Sequence, residues 1–485
     1  MPPGFPDWLS QNKERLAILL IYIALVGTTM HQHAMWRDET QAWLIARDSP
    51  NLHTLLHNLR YEGHPALWYL LLTPLTRITR NPAIMQMLNL AIASATVALV
   101  LWRAPFTRLE RALFPFGYFM LYEYAVKSRG YALGFFLLML ACTLWPSRRR
   151  RPVLLASVLG LLANVHLLLM VLSISAACAW WLAESLTPSR APDSTSAGPR
   201  QNLAAAAILL AAWLFAIYTI RPPPDPGYAA TWYFLIDPAR LQNTLNALGA
   251  LFTPRPNPLA TVCAVLLLLI IAWRWQRVPP AALFYLLSVS GVLILFYLKV
   301  PRQTWLSGIL FMAFIATSWI GRQNTDTAGR GRLIPPILLP AVLAIQLPFG
   351  LAAIRTDLLH PLSNGYNAAS AIAARGWAGQ PIAGVPDKIM TPIAAYLGVR
   401  EIYYGNGARW GSFTVWDLRR QDQLDPEKFV ATAAALGPAV TLIIGVTISI
   451  DPKILKQHGF TEIQQFSGAR VPDENYTIYH RASQP

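Results

Sequence analysis

The sequence predicts an all-α polytopic membrane domain of about eleven transmembrane helices, followed by a small C-terminal α/β domain outside the cytoplasm. Three observations point there. Of 485 residues, 54% are hydrophobic and only 13% are charged, against roughly 25% charged in an ordinary soluble domain. Seven apolar runs, 16–30, 83–102, 203–220, 259–273, 281–298, 305–320 and 333–351, are nearly charge-free, each close to the roughly 17–25 residues that cross about 30 Å of hydrocarbon as a helix. Beyond residue 351 this character ends, and the composition becomes that of a soluble domain.

Residues 16–30 read as a retained first span, because the run lacks the small-residue cleavage site of a signal peptide. Lys13 and Arg15 before it place the N-terminus in the cytoplasm. The short apolar piece 66–75 is read as an interfacial or re-entrant helix that does not cross. A crossing there would put Arg103, Arg108 and Arg111 outside and invert every later basic cluster. Spans then alternate at 83–102, 112–122, 131–145, 153–164, 167–183, 203–220, 259–273, 281–298, 305–320 and 333–351. Their cytoplasmic turns carry the arginine run at 148–151, Arg274 with Arg277, and Arg322, Arg330 and Arg332, with a Ser/Pro-rich loop at 187–200. The expected division is a transmembrane domain at 1–351 and an extracytoplasmic domain at 352–485. In the second, 381–385, 401–404, 440–446 and 477–480 read as strands, and 390–397 and 427–436 as helices. The whole is expected to be a multi-pass protein of the cytoplasmic membrane.

The net charge of +16 would suggest nucleic acid on a soluble protein. Here the basic residues punctuate apolar runs and orient helices, so membrane lipids are the expected partners and nucleic acid is not. The three cysteines, Cys142, Cys178 and Cys263, all lie in apolar runs, which argues against disulfides or a thiolate site. No metal-ligand or phosphate-loop spacing is present, so no cofactor is expected from motif.

Residues that could carry chemistry cluster on the expected outer face. Trp36-Arg37-Asp38-Glu39 follows the first span. Carboxylates there suit the positive end of a helix dipole, and adjacent helical residues point about 100° apart, so one of the pair faces a cleft. The stretch 41–57, with Trp43, Leu44, Leu52 and Leu56, reads as an amphipathic segment lying flat on the bilayer. In Gly63-His64-Pro65-Ala66-Leu67-Trp68-Tyr69, His64 either caps a helix start or presents a proton-bearing ring to an anion. The segment from Tyr122 to Tyr131 holds Glu123, Lys127 and Arg129. Glu123 and Arg129 can pair with each other, while Lys127 and Arg129 suit a phosphate. His166 in Asn164-Val165-His166 is either a packing residue or a site residue. Lys299, Arg302 and Gln303 form a further basic outer patch.

Taken in order, Asp38-Glu39, Gly63-His64-Pro65-Ala66-Leu67-Trp68-Tyr69 and Ser128-Arg129-Gly130-Tyr131-Ala132-Leu133 resemble the bacterial family 39-type membrane glycosyltransferases of the GT-C fold. That class includes protein O-mannosyltransferases and the lipid A aminoarabinose transferase. The resemblance covers roughly residues 10–180, and the later spans match in layout. The chain departs from the lipid A enzyme in carrying His64-Pro65 where that enzyme has a lysine-proline segment. The resemblance implies transfer of a sugar from a polyprenyl-phosphate donor to a lipid, polysaccharide or protein acceptor outside the cytoplasmic membrane. It implies that Asp38, with Glu39 its neighbour, is the catalytic acid/base residue, and that Glu123 is the nearest match to a second acidic residue. Lys127, Arg129 and Arg302 are then expected at the lipid phosphate, with His64, Tyr131 and His166 beside the substrate. A transporter or flippase, or a non-catalytic subunit of polysaccharide assembly, is the competing class. The absence of internal repeats and the clustering of charge at one face argue against transport.

Overall fold

The computed structural model describes residues 5–186, 197–228, 231–255, 257–323, 332–420 and 424–482. Arg330 and most of the loop expected at 187–200 lie outside them. The described chain is mostly helical. In order, its membrane part comprises α1 (Phe5–Gln32), α2 (Arg37–Asp48), α3 (Leu52–Leu59), α4 (Leu67–Ile78), α5 (Ala83–Arg103), α6 (Arg108–Leu113), α7 (Tyr131–Leu144), α8 (Pro152–Ala163) and α9 (Leu167–Ser185). It continues with α10 (Pro199–Ile220), α11 (Pro238–Leu245), α12 (Pro258–Trp273), α13 (Pro279–Leu298), α14 (Thr304–Gln323) and α15 (Leu338–Leu359). Proline opens α8, α10, α12 and α13, where its fixed φ suits the first turn and its missing N–H is not needed.

Seven of these helices are long and apolar enough to cross a membrane: 12–32 of α1, and α5, α9, α10, α13, α14 and α15. Shorter apolar helices lie at α7, α8 and α12. The twelve residues of α4 rise about 18 Å at 1.5 Å each, short of a bilayer core of about 30 Å.

One end of the bundle is tied by charge. There Trp102 donates to Asn12 (3.0 Å), Arg322 forks onto Glu110 (2.5 and 2.6 Å), and Arg148 and Arg149 share Glu184. The other end carries α2–α4, the 123–130 turn and the sheet domain.

Two expectations need correction. Residues 112–122 do not form one helix. α6 gives way at Pro115 to a 3-10 turn, Phe114–Phe116, and after Gly117 to a π turn, Phe119–Glu123. Proline cannot donate to the preceding turn, and such broken backbone is tolerated at membrane depth only when buried in protein. All of Phe119 to Glu123 is buried. Nor is 41–57 one continuous amphipathic segment with all its apolar residues exposed. It splits into α2 and α3, and Trp43 and Leu44 are fully buried where α2 packs between α4 and the sheet domain.

α15 continues to Leu359, past the boundary expected at 351, and the sheet domain follows. It comprises α16 (Gly365–Ala374), β1 (Ile382–Val385), α17 (Thr391–Leu397), β2 (Ile402–Tyr404), β3 (Arg409–Gly411), α18 (Pro426–Ala435), β4 (Val440–Gly445), α19 (Pro452–Gln457), β5 (Thr461–Phe466) and β6 (Tyr476–Arg481). The sheet runs β3-β2-β1-β4-β6-β5. β1 is parallel to β2 and β4, and the remaining pairs are antiparallel. The fully buried β1 and β4 form its centre.

The sheet domain is bolted to α2. Thr391 meets Thr40 (3.2 Å), Tyr396 accepts from the Met35 N–H (2.7 Å), and Arg47 donates to the Val399 carbonyl (2.6 Å). The break in 112–122 packs on α14 at Gly308, where a side chain would collide with Phe119 and Tyr124. Gly308→Val is therefore expected to lower stability by about 1–3 kcal/mol, as overpacking does, measured as a depressed melting temperature in detergent.

Candidate active site

A cavity lies where the loops of the bundle that carry α2 and the 123–130 turn meet the sheet domain. It begins with α2, whose first turn follows the membrane helix α1 almost directly. Trp36 is extended before the helix, and Glu39 turns back to accept its N–H (3.3 Å). The roughly 100° step between helical neighbours then separates the two carboxylates. Asp38 faces the cavity, and Glu39 points into the protein with a fully buried side chain.

The cavity measures about 140 Å³, with Arg37, Asp38, Glu62, His64, Arg129, Tyr131, His166, Lys388 and Trp416 on its walls. Arg129 Nη1 stands 3.0 Å from Asp38 Oδ2. Its guanidinium lies 5.2 Å from the centre of the Tyr131 ring and 5.9 Å from that of Trp305. From the roof, Arg37 pairs with Asp473 (2.7 Å) and Lys388 pairs with the same carboxylate (3.0 Å). Buried Asn89 of α5 places the turn that carries Arg129, donating to the carbonyls of Tyr124 (3.0 Å) and Ala125 (2.7 Å).

The histidines form a neutral wall. The rings of His64 and His166 lie 5.4 Å apart, and Tyr131 stands 5.4 Å from His166. Burial, helped by the charge of Arg129, depresses His64 to about 4. Burial, then His64 and Arg129, holds His166 well below the usual range. His166 Nδ1 accepts the Leu168 N–H (3.2 Å) and caps α9. A proton-bearing His64 is therefore not what this cavity presents at neutral pH; its cations are Arg129, Arg37 and Lys388.

The sequence did not single out Glu62. It lines the cavity two residues before His64, and burial raises its carboxyl to about 7, against the hydrogen bond from Gln41. Gln41 links the layers, donating to Glu62 (2.7 Å) and the Thr414 carbonyl (2.6 Å) and accepting the Thr414 N–H (3.0 Å). The one available signal was an acidic residue at the head of an otherwise apolar, glycine-turned segment; Gly63 has φ of +67°.

Besides Glu39, three expected residues stand off the cavity. Glu123 does not pair with Arg129. It is buried against Lys127 (2.9 Å) and the Tyr118 hydroxyl (2.7 Å), because the π turn faces it away from Asp38. Glu123 and Lys127 line a second cavity, about 490 Å³, together with Arg255, Trp305 and Arg470. Arg302 lines neither cavity and donates to Asn243 (3.1 Å).

Beneath the cavity lies a buried ion network. His33 bridges Glu39 (3.0 Å) and Asp357 (2.7 Å). Asp357 also accepts from Tyr122 (2.8 Å) and Arg470 (2.8 Å). Glu39 Oε1 takes the Ser128 N–H (2.6 Å), one residue before Arg129. Among the described residues, no group of three or more His, Cys, Asp or Glu is placed to hold a metal ion. Compared with protein-family models, curated proteins and solved structures, the chain matches none.

Burial alone would lower the His33 pKa, but Glu39 and Asp357 together carry it up to about 10. That exceeds the value of roughly 6.5 in an unfolded chain. Its contribution to stability is therefore complete below about pH 6.5 and lost as pH rises through about 10. Wild-type melting temperature in detergent is expected to fall across that window, with a shallower slope in His33→Gln. His33→Ala, which strands two buried carboxylates, is expected to cost about 3–5 kcal/mol.

Proposed function

We propose that this chain is a GT-C-type membrane glycosyltransferase that moves a sugar from a polyprenyl-phosphate donor to an acceptor outside the cytoplasmic membrane. The observation that carries the proposal is the Asp38–Arg129 pair, a carboxylate and a guanidinium 3.0 Å apart on a cavity at one end of the bundle. In this reading α7, α8, α12 and the broken segment 108–123 cross as well, giving about eleven passes. The N-terminus is then cytoplasmic and the sheet domain extracytoplasmic.

Asp38 takes the proton from the acceptor's hydroxyl or amine as that atom bonds to the anomeric carbon. The bond from that carbon to the phosphate oxygen breaks, and the lipid phosphate leaves with the electron pair. Charge developing on the phosphate is met by fixed cations, which act strongly in a water-poor site. Arg129 is placed for this, with Arg37 and Lys388 on the same cavity and Lys127 in the neighbouring one. Phosphate leaves without protonation, so one carboxylate suffices, and direct displacement inverts the anomeric centre. The acceptor is a lipid, a polysaccharide or a protein.

The test is release of polyprenyl phosphate from a synthetic polyprenyl-phosphate sugar by purified protein. A transporter or scaffold releases none. Asp38→Asn is expected to slow release by about 10²–10⁴-fold, the range for a positioned base; near-wild-type turnover in a folded variant would refute the mechanism. Arg129→Ala is expected to raise the donor KM and lower kcat. Glu62 is neutral below about pH 7, and above it adds a negative charge facing the donor phosphate. Donor affinity is therefore expected to weaken as pH rises through about 7, and Glu62→Gln to flatten that dependence.

A further inference from the structure

At the end of the bundle remote from Asp38, α9 and α10 stand apart. α10 leans on α8 instead, because Gly160 leaves room for Ala212 to approach: a Cβ on that glycine would sit 2.9 Å from the Ala212 side chain. Asn164 of the α8–α9 turn fixes the contact by donating to the Ala212 carbonyl (3.0 Å). The divergence opens a groove of about 450 Å³.

The floor of the groove is apolar, with Ala177 and Leu209 on it, and Trp180 and Trp181 form a wall. Its rim carries Arg148 and Arg149. Both donate through Nε to the one carboxylate of Glu184, Arg148 at 3.0 Å and Arg149 at 2.5 Å. Two guanidiniums on one carboxylate leave one positive charge uncompensated. Both helices are long and apolar enough to cross a membrane. Their outer faces present Trp181 (71% exposed) and Leu203 (72% exposed) beside the groove, a surface suited to acyl chains and an interfacial aromatic belt.

We propose that this groove is a binding site for an anionic phospholipid, with the phosphodiester between Arg148 and Arg149 and one acyl chain along the apolar floor. A single phosphodiester charge matches the single charge left over on the rim. Arginine meets phosphate oxygens through paired N–H donors. A zwitterionic lipid would bring its own cation against the same arginines. The site is independent of the transfer reaction and lies at the opposite end of the bundle.

The experiment uses the full-length protein, delipidated in neutral detergent and examined by native mass spectrometry. The probes are dioleoyl-phosphatidylglycerol, dioleoyl-phosphatidylcholine and inorganic phosphate. Phosphatidylglycerol is expected to be retained in preference to phosphatidylcholine, and inorganic phosphate is expected not to displace it. The double variant R148Q/R149Q is expected to weaken retention by about 20–30-fold, from the usual contribution of two basic residues near a membrane surface. Ala206→Trp fills the groove from an exposed position, leaves both arginines in place, and is expected to abolish retention with the melting temperature unchanged. Equal retention of the two lipids, displacement by inorganic phosphate, or undiminished phosphatidylglycerol binding in Ala206→Trp would each overturn the proposal.

Discussion

The end of the bundle that carries the sheet domain depends on one buried arrangement, the Glu39–His33–Asp357 triad. Two carboxylates with almost no exposure share one imidazole. Buried charge is tolerated only when paired and hydrogen-bonded, and each partner comes from a different part of the chain. His33 follows α1, Glu39 is in the first turn of α2, and Asp357 is in the last turn of α15. Arg470 reaches in from the sheet domain to the same Asp357. None of these groups can be withdrawn without stranding another, so the ends of two long apolar helices and the sheet domain are held as a unit.

The triad also sets the geometry of the cavity. Asp38 adjoins Glu39 in α2, and Arg129 follows Ser128, whose N–H is accepted by Glu39. The carboxylate that faces the cavity and the guanidinium that faces it are thus registered to one buried side chain. From above, Arg37, Lys388 and Asp473 form a second fastening, and Gln41 with Thr414 a third. The cavity is therefore built between two layers, and the sheet domain supplies part of its wall.

Much of this was legible in the sequence. Apolar runs mark the long helices, because a bilayer requires about 20 apolar residues and little else. The central strands β1 and β4 are visible because they are wholly buried and hydrophobic. β5 is not, because Thr-Glu-Ile-Gln-Gln-Phe is a mostly exposed edge strand with a register shift between Glu462 and Gln464. The break within 108–123 was hidden for a related reason: composition reports burial in apolar surroundings and not backbone regularity. At the site, the sequence indicated Asp38, His64, Arg129, Tyr131 and His166, all of which line the cavity. Lys388 and Trp416 arrive from more than 200 residues further along the chain, and no local pattern announces such a meeting. Pairing was the least legible part: Glu123 takes Lys127 and Arg129 takes Asp38, a choice made by a π turn that spacing alone does not reveal.

Adjacent carboxylates in one helical turn thus acquire opposite roles from geometry alone. Glu39 is turned inward, where a bridging His33 and two backbone N–H groups hold its carboxyl group in place and make it a fixed point. Asp38 is turned outward, 3.0 Å from the Arg129 guanidinium and 4.0 Å from that of Arg37 at the cavity surface. That partnership has a consequence for the transfer proposed here. Arg129 pairs with Asp38 while the cavity lacks an anion, and a phosphate oxygen competes for the same guanidinium. As the phosphate engages Arg129 in the proposed transfer, Asp38 gives up its contact with that guanidinium. In the proposed reaction the donor phosphate and Asp38 thus contend for one guanidinium, which ties donor binding to the position of the carboxylate.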